Sequence, residues 1–235
     1  MSFKFKQFEM RHSNSTMKIG TDAVLLGSWF NDSHATNILD IGTGSGVIAL
    51  IAAQRTTAFI DAIDIHKDSI TEAEKNFKTS RWSDRLSAHL VSLQEYSTLS
   101  KKKYNHILSN PPFFVNALKS PDTKRNLARH TDNLSFEDFI TFSKNISYPN
   151  ALLSIILPAK EGVLFRSIAA KHGYFLSRIT NIFPTETKKV NRVLMEFILS
   201  EEPLSLLINN LYIRKNNNRY SDEYKILTKD FYLNF

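Results

Sequence analysis

Apolar residues in the middle of this chain come in short blocks that switch between strand-like and helix-like spacing, each fenced by a polar or glycine-bearing turn. T-N-I-L-D-I (36–41) predicts a first strand, and V-I-A-L-I-A-A-Q (47–54) a helix apolar almost all round. F-I-D-A-I-D-I (59–65) predicts a second strand, followed by a helix with Ile70, Ala73 and Phe77 on one face. Further strands are expected near 86–91 and at Y-N-H-I-L-S (104–109). Ser135, with Asp138 three residues on, marks a helix start whose apolar stripe is Phe136, Phe139 and Ile140. L-L-S-I-I-L (152–157) is a fifth strand, and a helix from about Lys160 stops at Gly173. Strands near 174–182 and 192–199 bring the count to seven. Such alternation predicts an α/β fold, a mostly parallel sheet with helices on both faces. Residues 1–235 are expected to form one domain, with a core at 31–200, an N-terminal extension at 1–30 and a C-terminal appendage at 203–235.

Composition narrows the chemistry. The absence of cysteine excludes disulfides, thiolate metal sites and cysteine nucleophiles, and no metal is expected. The first residues, M-S-F-K-F-K-Q-F-E-M, lack the apolar core of a signal peptide, and no uninterrupted apolar stretch is long enough to span a bilayer. A cytoplasmic protein that engages no membrane is expected. Thirty Lys and Arg against 23 Asp and Glu give a net charge of +7, a balance that favours polyanionic partners.

The first chemical signal is D-I-G-T-G-S-G (40–46), where a strand meets a helix. Glycines there let backbone approach a ligand at the C-terminal edge of the sheet. Dinucleotide enzymes use G-x-G-x-x-G, with pyrophosphate on the helix N-terminus. Here Gly42, Gly44 and Gly46 form G-x-G-x-G behind Asp40, a pattern that resembles the first motif of class I S-adenosyl-L-methionine methyltransferases. Asp64 ends the second strand, where a carboxylate can accept hydrogen bonds from ribose hydroxyls. A tight turn and a solvated or helix-capping acid are the plainer alternatives. Asp61 competes for the same role, but it precedes the strand end and is expected to face the surface.

The second signal is S-N-P-P-F-F (109–114), directly after the fourth strand and bordering the same crevice. An amine conjugated to a ring is a poor nucleophile because its lone pair is delocalised. The Asn110 side-chain oxygen and the Pro111 carbonyl can each accept one of its N–H bonds, turning the lone pair towards a methyl donor. Pro111 and Pro112 stiffen the loop, and Phe113 offers a face on which a flipped-out base can stack. The alternative is a loop-breaking Pro-Pro beside a core phenylalanine.

Together these motifs resemble the amino-methyltransferases of nucleic acids and protein glutamine. The flanks narrow the resemblance: F-K-F-K-Q-F (3–8), M-K-I-G-T-D-A-V-L-L-G (17–27), R-V-L-M-E-F (192–197) and Y-S-D-E-Y-K-I-L-T-K-D-F-Y-L (220–233) are similar to the bacterial tRNA1(Val) adenine-37 methyltransferase family, over nearly the whole chain. The resemblance implies a Rossmann-like seven-stranded fold and methylation of the 6-amino group of the adenine 3′ of the anticodon. It implies catalytic roles for Asn110, Pro111 and Phe113, and S-adenosyl-L-methionine held by Asp40, Gly42, Gly44, Gly46 and Asp64. Thr21 and Asp22 are further candidate cofactor contacts, with a helix cap as the alternative. Where related enzymes carry an acid or amide that reads the cofactor's adenine, this chain has Ser92, shorter but able to donate and accept.

The implied partner is tRNA, through its anticodon stem-loop, whose unpaired bases suit readout by stacking. Pro112, Phe114, Arg129, Lys188, Lys189 and Arg192 are the expected substrate contacts. Lys119, Lys124, Arg125 and His130 belong to the first basic group, and Arg214, Lys215 and Arg219, with Tyr212 and Tyr220, form another. Lys101, Lys102 and Lys103 sit at a strand's N-terminal end and are expected to serve only solubility. A monomer is expected. Methylation of a guanine 2-amino group in rRNA and of protein glutamine are the rival readings. The first commonly brings a second domain that 235 residues cannot hold, the second a separate N-terminal helical domain. A dehydrogenase conflicts with the glycine spacing, and a non-catalytic RNA-binding module with the intact Asn110-Pro111-Pro112-Phe113.

Overall fold

Every predicted core strand is present. The computed structural model describes residues 2–11, 20–111 and 134–234. A short antiparallel ribbon, β1 (Ser2–Lys4) and β2 (Glu9–Arg11), precedes α1 (Thr21–Trp29). Then come β3 (Asn37–Ile41), α2 (Val47–Arg55), β4 (Phe59–Asp64), α3 (Lys67–Thr79), β5 (Leu86–Leu90), α4 (Leu93–Leu99) and β6 (Tyr104–Ser109). The second half holds α5 (Phe136–Asn145), β7 (Ser147–Pro158), α6 (Ala159–Lys171), β8 (Tyr174–Thr185), β9 (Arg192–Leu199), β10 (Leu207–Arg214) and α7 (Asp222–Thr228).

The main sheet runs β10-β8-β9-β7-β6-β3-β4-β5. Among the described strands of this sheet only β9 is antiparallel to its neighbours, so β3, β4, β6, β8 and β10 all point their C-terminal ends at one edge. Strand order reverses between β3 and β6, and the crevice outside that switch point is where open α/β sheets bind ligands. Alternate residues of β3 explain the two-sided core. Ile38 packs on the face that carries α1 and α2, while Leu39 and Ile41 pack on the other with Phe139 and Phe165 of α5 and α6.

The predicted seven strands are joined by an eighth, β10, drawn from the C-terminal appendage and paired in parallel with β8. As an edge strand it buries only Leu211, so L-I-N-N-L-Y-I-R carries no strong apolar signature. The N-terminal extension also shares the core: Ala23 to Trp29 are buried against α2.

Two expectations are corrected at one place. Asp61 is 5% exposed, not surface-facing, because a parallel strand covered on both faces has no solvent side at mid-length. Lys102 is no mere solubility charge, since its ammonium lies 2.9 Å from the Asp61 carboxylate, which also accepts from Tyr104 (2.7 Å) and meets His89 (3.1 Å). Lys103 likewise donates to the Asn145 carbonyl. Burial alone would raise the Asp61 carboxyl, but hydrogen bonds from His89, Tyr104 and Lys102, with the Lys102 charge, hold it at about 2. A depressed carboxylate stabilises the fold above its ordinary pKa and loses that contribution as pH falls through the folded value. Asp61→Asn should therefore cost about 1–2 kcal/mol at pH 7, discounted for the exposed Lys102, with the gap from wild type closing between about pH 4 and 2. Parallel denaturation midpoints across that window would refute the charge's role.

Candidate active site

The glycine turn leaves β3 and enters α2 at the switch point. Gly42, Gly44 and Gly46 all have positive φ (71°, 55° and 88°), a conformation that other residues adopt only with strain. Their surroundings differ. A side-chain carbon at Gly46 would lie 2.5 Å from the Phe77 ring, so that glycine lets α3 pack close. At Gly42 and Gly44 nothing among the described residues lies within 4 Å of such a carbon, as a cradle for a ligand requires. The turn is pinned from β4: the Gly42 and Thr43 amides donate to the Ile63 carbonyl, at 2.9 and 3.1 Å.

Two carboxylates flank the cradle. Asp64 lies at the C-terminal end of β4, and its two oxygens accept the amides of Gly44 and His66, both at 2.9 Å. Asp40 is fully buried beneath the turn and accepts the Thr43 hydroxyl at 2.6 Å. Burial, with a smaller push from Asp64, lifts the Asp40 carboxyl to about 7, against the Thr43 hydroxyl and the Ala49 amide. A carboxyl raised in this way contributes stability below the unfolded value of 3.8 and loses it as pH rises through about 7. In cofactor-free protein, Asp40→Asn should melt higher than wild type above pH 7 and converge with it near pH 4. Melting curves that stay parallel from pH 4 to 8 would contradict this.

The second motif begins where β6 ends. The Ser109 hydroxyl donates to the Ile41 carbonyl at 2.9 Å, and the two residues are register partners. Half-buried Asn110 and buried Pro111 are thereby set beside the glycine turn, one residue past strands that end side by side. Pro112, Phe113, Phe114, Lys119, Lys124, Arg125, Arg129 and His130 lie outside the described residues, as do Lys18 and Ile19 of K-I-G-T-D.

The other candidates scatter. Thr21 opens α1 behind an N-cap at Gly20, with no side-chain cap. Asp22 pairs with Arg192 at 2.9 Å, so the proposed cofactor contact and the proposed RNA contact hold each other. Ser92 follows β5, and its hydroxyl is engaged in a capping box with Glu95 at the start of α4. Lys188 and Lys189 are exposed in the turn between β8 and β9, on the same edge as the glycine turn. Arg214 ends β10 and Lys215 follows it on that edge, though Lys215 pairs with Asp222 at 2.7 Å and Arg214 lies over the Tyr220 ring. Sequence reasoning missed Ser109 and Ile65. The latter follows Asp64 and is 53% exposed, an apolar surface at the rim of the cradle.

An open glycine cradle with a carboxylate at the next strand end, on a sheet of this order with its antiparallel β9, defines an S-adenosylmethionine-dependent methyltransferase, and the residues present fit that cofactor. The comparisons agree. Residues 4–138 match the methyltransferase small domain family. Among solved structures, a predicted O-methyltransferase from Agrobacterium tumefaciens superposes with a TM-score of 0.72 at 18% identity, covering 89% of this chain and 96% of that one. A tRNA1(Val) (adenine(37)-N6)-methyltransferase from Parabacteroides distasonis is 40% identical over 98% of this chain and 97% of its own length. The enzyme of the same name from Trichodesmium erythraeum is 41% identical over 99% and 98%. The chain belongs to the tRNA1(Val) (adenine(37)-N6)-methyltransferase family.

Proposed function

We propose that the protein methylates the 6-amino group of adenine 37 in tRNA, using Asn110 and Pro111 to orient the amine. The observation that carries this reading is the seating of Asn110 and Pro111 beside the glycine turn through the Ser109 to Ile41 hydrogen bond. When bound, S-adenosylmethionine supplies an electrophilic methyl group. The chain's own residues do the rest. The side-chain oxygen of Asn110 and the carbonyl of Pro111 accept the two N–H bonds of the amine, so that its lone pair leaves the ring plane. The same acceptors stabilise positive charge growing on nitrogen. Asp64 would accept from the ribose hydroxyls of the cofactor, and exposed Ile65 would offer an apolar face to its base.

Support for an anticodon-loop substrate comes from the names of the relatives and from exposed Lys188 and Lys189, which share the sheet edge with the cradle. The test is methyl transfer from labelled S-adenosylmethionine to unmodified tRNA, with mass spectrometry of the digested nucleosides. 6-Methyladenosine mapping next to the anticodon is expected. Methylguanosine would move the target to guanine, and transfer to protein alone would overturn an RNA substrate.

A further inference from the structure

Two of the terminal signatures singled out in the sequence, F-K-F-K-Q-F (3–8) and the segment 220–233, are partners in space. Three successive carbonyls near the C-terminus are captured. The Lys6 ammonium donates to the Lys229 carbonyl at 2.6 Å, the Gln54 side chain to that of Asp230 at 2.9 Å, and the Lys6 amide to that of Phe231 at 2.8 Å. The Phe5 ring stacks on Tyr232 (6.1 Å between centroids) and on Phe8 (4.6 Å), and Phe8 meets Trp82 edge-on beyond α3. The ribbon β1–β2 is thus fixed by residues some 223 positions away.

The far end of the ribbon reaches the cradle. Asn76, on α3 and 2% exposed, accepts the Arg11 amide at 2.9 Å and donates to the Arg11 carbonyl at 3.1 Å. The same amide group donates to the carbonyl of Ser45, between Gly44 and Gly46, at 2.9 Å. Gln54 makes a second link, since α2 starts where the glycine turn stops. We propose that residues 229–232 and the ribbon form a positioning clasp for the cofactor cradle, with Asn76 carrying its placement to the glycine turn. This rests on the reading that the turn holds S-adenosylmethionine.

The experiment compares Tyr232→Ala, Tyr232→Phe and the gentler double change Lys6→Met with Gln54→Leu. It measures calorimetric affinity for S-adenosylmethionine, KM for each substrate, and amide hydrogen exchange at 42–46 in cofactor-free protein. Tyr232→Ala and the double variant should bind the cofactor about tenfold more weakly and exchange faster at the turn, while kcat and the KM for tRNA stay within about twofold. Tyr232→Phe should restore wild-type values. Should Tyr232→Ala fail to fold, the double variant decides alone. Unchanged cofactor affinity and exchange, or equal loss towards both substrates, would overturn the clasp. Gly44→Val separates the two readings. Normal cofactor binding by that variant removes the cradle itself, whereas its loss beside intact binding in the clasp variants removes only the clasp.

Discussion

Asn110→Ala is expected to bind S-adenosylmethionine almost as tightly as the wild type and to turn over about a thousandfold more slowly. The asymmetry follows from position. Asn110 follows β6, whereas the cradle is made of the glycine turn after β3 and the carboxylate at the end of β4, which keep their own hydrogen bonds without it. In the proposed reading alanine removes one of two acceptors for the amine, leaving a single carbonyl to hold the nitrogen out of conjugation. Asn110→Asp keeps an acceptor but adds a negative charge, and should recover part of the lost rate. Calorimetry beside single-turnover rates checks this, and parallel loss of affinity and rate would assign Asn110 to the cofactor instead.

Asp64→Ala should do the reverse, weakening S-adenosylmethionine by roughly a hundredfold, with kcat at saturation much less changed. Its carboxylate does two things at once. It fixes the turn by accepting the Gly44 and His66 amides, and in the proposed reading it would also accept from the ribose hydroxyls. Asp64→Asn retains one carbonyl oxygen and should fall between alanine and wild type. Affinity unchanged in both variants would remove Asp64 from the site.

Much of this could be read locally. The core strands, the Ser135 helix cap and the strand-to-helix glycine turn each rest on a handful of adjacent residues, and the structure has them all. What escaped had causes that local pattern does not carry. The edge strand β10 buries one residue, so its apolar signal is weak. Asp61 looks solvent-bound beside Asp64 until the partners from β5 and β6 are in place. S-L-Q-E at 92–95 is a capping box as much as a base-reading position, and α4 that follows it was not foreseen. The register that sets Ser109 against Ile41 is a tertiary fact, although the serine just before Asn110 was visible.

The seating of the ribbon also bears on when the molecule becomes itself. Contacts between Lys6 and Lys229 close a loop of 223 residues, and such closures form late because their entropy is lost before they are rewarded. On the ribosome, residues 2–11 must wait for residues 229–232 to emerge before they can dock. A nascent chain with β3 to β9 already laid down still lacks a finished ribbon edge, which is assembled only once residues 229–232 are free to dock.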